Sequence, residues 1–410
     1  MSLRTLYLCY FGLREPLVQT QVLPYLRQLT AAGIKVHLLT FEPQLREKWN
    51  EDELTNQRAL LAKEGISWFF LPYHKSPSVP ATAYDIMAGA RFAVQLARRE
   101  GIDVLHARAH VPMAMALWAR RFARVKVIFD IRGLMAEEYA DAGIWTEGSL
   151  PFRLVKSLER AGIRRADQIV VLTERLRDWL IARKLKSAEQ IEVIPCCVDF
   201  ARFDASRAER ADATTQHFAA DRFEVVYAGS LMGLYLVEEM GRFFKAIKAQ
   251  RPGAFLRILS VSPPAEGVAA LKRAGLEEND FEITAVTAAD VPEHLRRARL
   301  GISFRKPAFA QIAASPTKIP EYLAAGLPVV CNAGIGDMDE LVERQQVGVV
   351  LHSFDDAAYQ KGATQALLLA EETGLRERAV RIAHQYFDLT TIGVRGYVNV
   401  YGRLEENPLR

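Results

Sequence analysis

The sequence predicts an α/β protein built of two Rossmann-like domains facing each other across a cleft, and three observations carry that prediction. The chain has 410 residues, too many for one ordinary compact core and suited to two domains of about 200 residues each. Strand-length apolar runs alternate with helix-periodic stretches, the pattern of parallel βαβ units in doubly wound sheets. The alternation comes as two series, separated by one polar, alanine-rich interval.

The first series opens as strand, loop, helix, strand: RTLYLCYF, GLREPL, VQTQVLPYLRQLTAAG and IKVHLLTF, with Gly33 where the helix closes. It continues with the strand ISWFFLPY, the helix YDIMAGARFAVQLARREG, the buried strand DVLHARA, the helix VPMAMALWARRFA and the strands VKVIFDIRG, ADQIVVLT and IEVIPCC. Residues 1–199 are therefore expected to form the N-terminal domain and residues 200–221 a linker. The second series, FEVVYAGSL, VEEMGRFFKAIKAQ, AFLRILSV, EGVAALKRAG, FEITAV, AADVPEHLRRA, LGISFR, LPVVCN and VGVVL, assigns residues 222–388 to the C-terminal domain. Within residues 389–410, TTIGVRGYVNVYGRLEEN has helical spacing and is expected to cross back to the first domain. Ligands of such sheets bind outside the carboxyl ends of the strands, so the loops after strands are where function is sought.

Composition narrows the function classes. Half the residues are hydrophobic, a quarter are charged and the net charge is +4, which argues against a dedicated nucleic-acid binder and suits anionic small molecules or acidic lipid headgroups. No run of about eighteen apolar residues occurs, and the apolar start is too short for a signal sequence, so a cytoplasmic location is expected. Cys9, Cys196, Cys197 and Cys331 fit neither zinc spacing nor a disulfide framework; buried thiols and no metal site are expected.

The segment ASPTKIPEYLAAGLPVV, residues 314–330, holds the chemistry. With Thr317 as N-cap, Lys318 and Ile319 are the first helical positions and Pro320 the third, where its missing N–H costs little. The free N–H groups make an anion site, to which Ser315 and Thr317 add hydroxyls and Lys318 a full positive charge. Glu321, one turn in, is placed to accept hydrogen bonds from a sugar hydroxyl. Ordinary helix capping would use the same residue types.

The run EYLAAGLPVV from Glu321, followed by Gly336, by Glu340 opening ELV and by Gly348 opening GVV, resembles the donor-binding segment of the glycosyltransferase group 1 family, retaining enzymes of the GT-B fold. The segments QVLPYLRQLTAAGIKVHLLTF, IEVIPCCVD and VVYAGSL extend the resemblance along the chain. It implies transfer of a sugar from a UDP- or GDP-linked donor to a glycan, lipid-linked or small-molecule acceptor, with retention of configuration and no obligatory metal or other cofactor. It also implies front-face displacement, in which a phosphate oxygen takes the acceptor's proton and no enzymic nucleophile is needed. Polysaccharide or glycolipid assembly is the context of the family.

Residue by residue, Glu321 matches the glutamate that hydrogen-bonds the donor ribose, and Gly229 the glycine that lets the diphosphate approach the backbone. The family often sets an arginine directly after that glycine and a lysine a few residues on. Here stand Ser230 and the uncharged run LMGLYLV, and Ala313 replaces the first of a common pair of glutamates. Arg305 and Lys318 are expected to supply the missing cations for the departing diphosphate.

In the first domain, Gly12 and Leu13 end the first strand, where close backbone approach to a phosphate or acceptor is expected. Residues 129–145 concentrate Asp130, Arg132, Glu137, Glu138 and Asp141 after a strand, which reads as an acceptor pocket. Asp130 and His110 are the catalytic candidates, near where the family places a histidine touching the transferred sugar; a cap or packed ring is the plainer reading of His110. The basic stretches ALWARRFARVK and LVKSLERAGIRRADQ suit either peripheral contact with the inner membrane surface or a solvated helix face. Two rival functions stay open: a catalytically silent nucleotide-sugar-binding scaffold subunit, favoured by the missing cations, and a GT-B nucleotide-sugar epimerase. A dehydrogenase is disfavoured because no G-x-G-x-x-G follows either first strand.

Overall fold

The computed structural model describes residues 3–203 and 222–406. They form two compact units, Met1–Pro195 with Thr390–Arg410, and Cys196–Leu389. The first holds a seven-stranded sheet of β1 (Arg4–Cys9), β2 (Lys35–Pro43), β3 (Ile66–Tyr73), β4 (Val104–Arg108), β5 (Lys126–Asp130), β6 (Gln168–Val171) and β7 (Ile191–Val193), in the order β3-β2-β1-β4-β5-β6-β7. The second holds β8 (Glu224–Ala228), β9 (Phe255–Leu259), β10 (Phe281–Thr284), β11 (Leu300–Ser303), β12 (Val329–Asn332) and β13 (Gly348–Leu351), in the order β10-β9-β8-β11-β12-β13. Neighbouring strands in both sheets run parallel.

Each strand falls on a segment the sequence marks as one. The reason is burial on both faces: β4, β5, β9 and β12 are buried along their whole length, which a parallel sheet covered by helices demands. In the second unit Phe243, Phe244 and Phe304 are fully buried between sheet and helices, each contributing about 1.5–3 kcal/mol of burial. All four cysteines are free and buried. No helix among the described residues is long and apolar enough to cross a membrane.

The strand order reverses between β1 and β4 in one unit and between β8 and β11 in the other, and such switch points open a crevice at the strands' carboxyl ends. Gly12 follows β1 and His110 follows β4; Gly229 follows β8 and Arg305 follows β11. The topology thus sets the expected site residues at the two switch points.

The boundaries differ from those expected. Val198 and Asp388 form a parallel bridge, the Val198 N–H donating to Phe387 O at 2.7 Å and the Leu389 N–H to Val198 O at 3.0 Å. These bonds bind residues 196–199 into the second unit, so the first ends at Pro195 and not at 199. The first residues of the expected 200–221 linker form a 3₁₀ turn, Phe200–Phe203, with Phe200 stacked on His384 at 3.5 Å; residues 204–221 lie outside the described residues. At the other crossing, a π-helical stretch Leu389–Val394 runs into the α-helix Arg395–Glu406. That helix lies in the first unit, where the Tyr401 hydroxyl meets Thr5 Oγ1 at 3.0 Å and His106 Nδ1 at 2.9 Å.

Candidate functional site

The second unit's switch point gathers two cations on one tyrosine. Lys318 opens the helix Lys318–Ala324, yet its side chain is 3% exposed. Its ammonium lies 3.9 Å from the ring centre of Tyr235 and 5.3 Å from that of Tyr227. The Arg305 guanidinium is 4.9 Å from the same Tyr235 ring and donates from Nη1 to the Tyr235 hydroxyl at 3.2 Å and from Nε to Gln311 Oε1 at 2.8 Å. Among the described residues neither cation has a carboxylate within ion-pairing distance. Burial pulls the Lys318 pKa below its ordinary value; Tyr235 partly offsets this and Arg305 adds to it. Gln311 is fully buried and its amide nitrogen has no partner among the described residues.

Gly229 is required here by shape. It has φ 156°, and a Cβ on it would lie 2.8 Å from Lys318 Cε and 2.9 Å from Nζ. The missing side chain is the space the ammonium fills. Ser230 follows as an exposed turn residue whose Oγ accepts from the Met232 N–H at 3.2 Å.

The remaining donor candidates divide. Thr317 stands at the N-cap position with αR backbone (φ −58°, ψ −28°) and makes no side-chain cap, which corrects the expected capping role: a true cap needs an extended backbone to turn its oxygen toward the free N–H groups. Ser315 is buried and its Oγ accepts from the Cys196 N–H at 3.1 Å, so that lone pair anchors the start of the second unit. Glu321 Oε1 receives Arg202 Nη1 at 3.0 Å.

In the first unit, Asp130 ends β5 with no exposed surface. Its carboxylate accepts from the Tyr397 hydroxyl at 3.0 Å and lies 3.4 Å from Arg132 Nη1, 3.5 Å from Arg108 Nη1 and 3.7 Å from His106 Nε2. Burial would raise its pKa, but Arg132, His106 and Arg108 outweigh burial and hold the carboxyl well below the usual range. Asp130 is thus a buried anion holding the partly exposed Arg132 in place.

His110 and Glu137 are joined through two residues the sequence did not single out. His110 Nε2 lies 3.0 Å from Glu159 Oε2, and Lys156 Nζ bridges Glu159 at 2.5 Å and Glu137 at 2.6 Å. Burial opposes ionisation of Glu159, yet His110 and Lys156 lower its pKa. The His110 ring is buried edge-on against Phe129, the packed reading. Just before it, Ala109 holds φ 67°, ψ −172°, a region nearly confined to glycine and costing about 1–3 kcal/mol. Gly12 and Leu13 are set by buried Glu42: its Oε1 accepts from the Leu13 N–H at 2.8 Å, and a Cβ on Gly12 would lie 2.7 Å from Pro43 Cδ.

Sequence reasoning missed Tyr235, Gln311, Arg202, Lys156, Glu159 and Tyr397. Only Tyr235 left a signal, as the aromatic residue inside the uncharged run where the family sets a lysine.

Residues 18–202 match the model described as Glycosyltransferase Family 4. Among solved structures the chain is similar to sucrose-phosphate synthase from Thermosynechococcus elongatus (15% identity, 98% of this chain and 99% of that chain covered, TM-score 0.73). It is also similar to Anabaena Alr3699/HepE in complex with UDP and glucose (17%, 98% and 100%, 0.66). A third is WaaG, a glycosyltransferase involved in lipopolysaccharide biosynthesis (15%, 97% and 100%, 0.63). No curated protein sequence matches.

Proposed function

We propose that this chain, whose fold is that of the GT-B glycosyltransferases it resembles, is itself a glycosyltransferase that transfers a sugar, with retention of configuration, from a UDP- or GDP-linked donor held by the second unit to a glycan, glycolipid or small-molecule acceptor. The observation that carries this is the pairing of Lys318 and Arg305 around Tyr235 with no carboxylate at ion-pairing distance among the described residues. A buried ammonium with only a tyrosine and a more distant carboxylate to offset burial is costly unless an anion completes it. A diphosphate is the anion that the loop after β8 and a fixed cation pair suit best. HepE, crystallised with UDP and glucose, supports uridine as the first base to test.

In the proposed reaction the acceptor hydroxyl oxygen bonds to the anomeric carbon as the bond to the diphosphate oxygen breaks on the same face. The hydroxyl proton passes to a phosphate oxygen, and nucleoside diphosphate leaves. Lys318 and Arg305 stabilise the charge that develops on the leaving group, the work a divalent ion would otherwise do. Glu321 receives the ribose, while Arg132, held by Asp130, and the Gly12–Leu13 loop serve the acceptor side. Isothermal titration with UDP and GDP, with and without Mg²⁺, tests the proposal. Metal-independent binding of one nucleotide, weakened by Glu321→Ala, is expected; failure of every nucleotide diphosphate to bind would overturn it.

A further inference from the structure

We propose that Arg202 is a positioning residue for the nucleoside end of the donor site, fixing one oxygen of the Glu321 carboxylate so that the other faces a ribose hydroxyl. This deepens the donor-site reading and rests on Glu321 as the ribose-binding group.

The geometry is a two-point hold. Arg202 donates from Nη1 to Glu321 Oε1 at 3.0 Å and from Nη2 to the Ala288 carbonyl at 2.6 Å. A guanidinium is planar, so a fork held at both tips cannot turn without losing both bonds. The base of the fork is fixed too. Asp199 accepts from the Arg202 N–H through its carbonyl at 3.1 Å and from the Ala201 N–H through Oδ1 at 3.1 Å. Phe200 is stacked on His384.

The pair is sheltered, with side chains 19% and 14% exposed, so solvent screens it less than a surface pair. Glu321 Oε2 has no hydrogen-bond partner among the described residues. A glutamate has three side-chain torsions to order, and one already held by Arg202 has less freedom left to lose when a ribose hydroxyl binds.

The test is calorimetric titration of UDP and of inorganic pyrophosphate on the full chain, using wild type, Arg202→Ala, Arg202→Lys, Glu321→Ala and the double variant Arg202→Ala/Glu321→Ala. Arg202→Ala is expected to weaken UDP about 5–10-fold, the cost of one newly ordered side chain, and to leave pyrophosphate unchanged. In the Glu321→Ala background the same substitution should add nothing, because Arg202 acts only through that carboxylate. Arg202→Lys keeps the charge but loses the fork, so it should weaken UDP about 2–5-fold, and it carries the test if the alanine variant does not fold. Unchanged UDP affinity, equal loss for pyrophosphate, or a loss additive with Glu321→Ala overturns the proposal. Tighter UDP binding also overturns it, since Arg202 would then compete with the nucleotide. Wild type binding neither UDP nor GDP instead overturns the donor-site reading beneath it.

Discussion

The Lys318 ammonium lies 3.9 Å from the centre of the Tyr235 ring, buried, with no carboxylate at ion-pairing distance among the described residues. A cation over an aromatic face gains about 0.5–2 kcal/mol, less than desolvating it costs. A charge held there therefore comes at some expense to the unliganded fold. Lys318→Met should separate the two effects. UDP affinity should fall about 10–100-fold, the loss of hydrogen bonds to a charged group, while the thermal midpoint of the unliganded protein holds or rises. A lowered midpoint with unchanged UDP binding would make Lys318 a structural residue.

The same lysine gives a pH dependence whose sign is fixed. Its folded pKa lies below its ordinary value because of burial, so the unfolded chain binds the proton more tightly. Its contribution to stability is fully present above the ordinary lysine pKa of about 10.4 and is lost as pH falls through the lowered folded value. Urea denaturation between the lowered folded value and pH ~10.4 should show a rise with pH that Lys318→Met removes. A bound diphosphate favours the ammonium, so UDP should take up a proton there and bind more weakly as pH climbs. Titration in two buffers of different ionisation enthalpy reads the proton directly.

What the sequence made legible was local. Strand runs such as VKVIFDIRG and LPVVCN are written in consecutive residues, and the Glu321 segment carries its motif within one helix and one turn. The structure's closure of the site is not local. Arg202 meets Glu321 across 119 positions and Tyr397 meets Asp130 across 267, and no periodicity in a window of a dozen residues records such a pair. The same cause explains Glu137: read as one charge too many for packing, it is paired with Lys156, which a loop-by-loop reading cannot see. Ser315 and Thr317 look alike in sequence, yet backbone angles at 317 and the position of Cys196 decide what each oxygen does.

Gly229→Ala tests whether the missing side chain serves the ammonium. The new Cβ would meet Lys318 Cε at 2.8 Å in a backbone region unfavourable to alanine, a strain of about 1–3 kcal/mol. Part of it relaxes by moving the lysine tip. UDP affinity should therefore fall more than denaturant stability does. A pure stability loss, with UDP binding intact in the folded fraction, would reduce Gly229 to a turn glycine.

The helix Leu150–Arg165 exposes Leu150 at 70% and Leu154 at 54% beside exposed Arg153 and Arg160. Apolar side chains flanked by cations suit an anionic bilayer surface. Leu154→Asp should leave stability within about 0.5 kcal/mol, being on the surface, and reduce co-sedimentation with vesicles containing phosphatidylglycerol. Equal sedimentation of both proteins would leave this helix as a solvated face.

Asp130 decides between catalysis and positioning in the first unit. It is buried, ionised and surrounded by Arg108, Arg132, His106 and Tyr397. Asp130→Asn keeps the shape but leaves the arginines without their anion, so it should cost about 3–5 kcal/mol in urea denaturation. Tyr397→Phe removes one hydrogen bond to a charge and should cost about 1.5–3 kcal/mol. Because the Asp130 pKa is lowered in the fold, its contribution is present above the ordinary aspartate value of about 3.9 and is lost only as pH falls through the lowered one. The wild-type excess over Asp130→Asn should therefore hold from neutrality down to about pH 4 and shrink below it. A stable but inactive Asp130→Asn would instead put this carboxylate in contact with substrate, against the burial seen here.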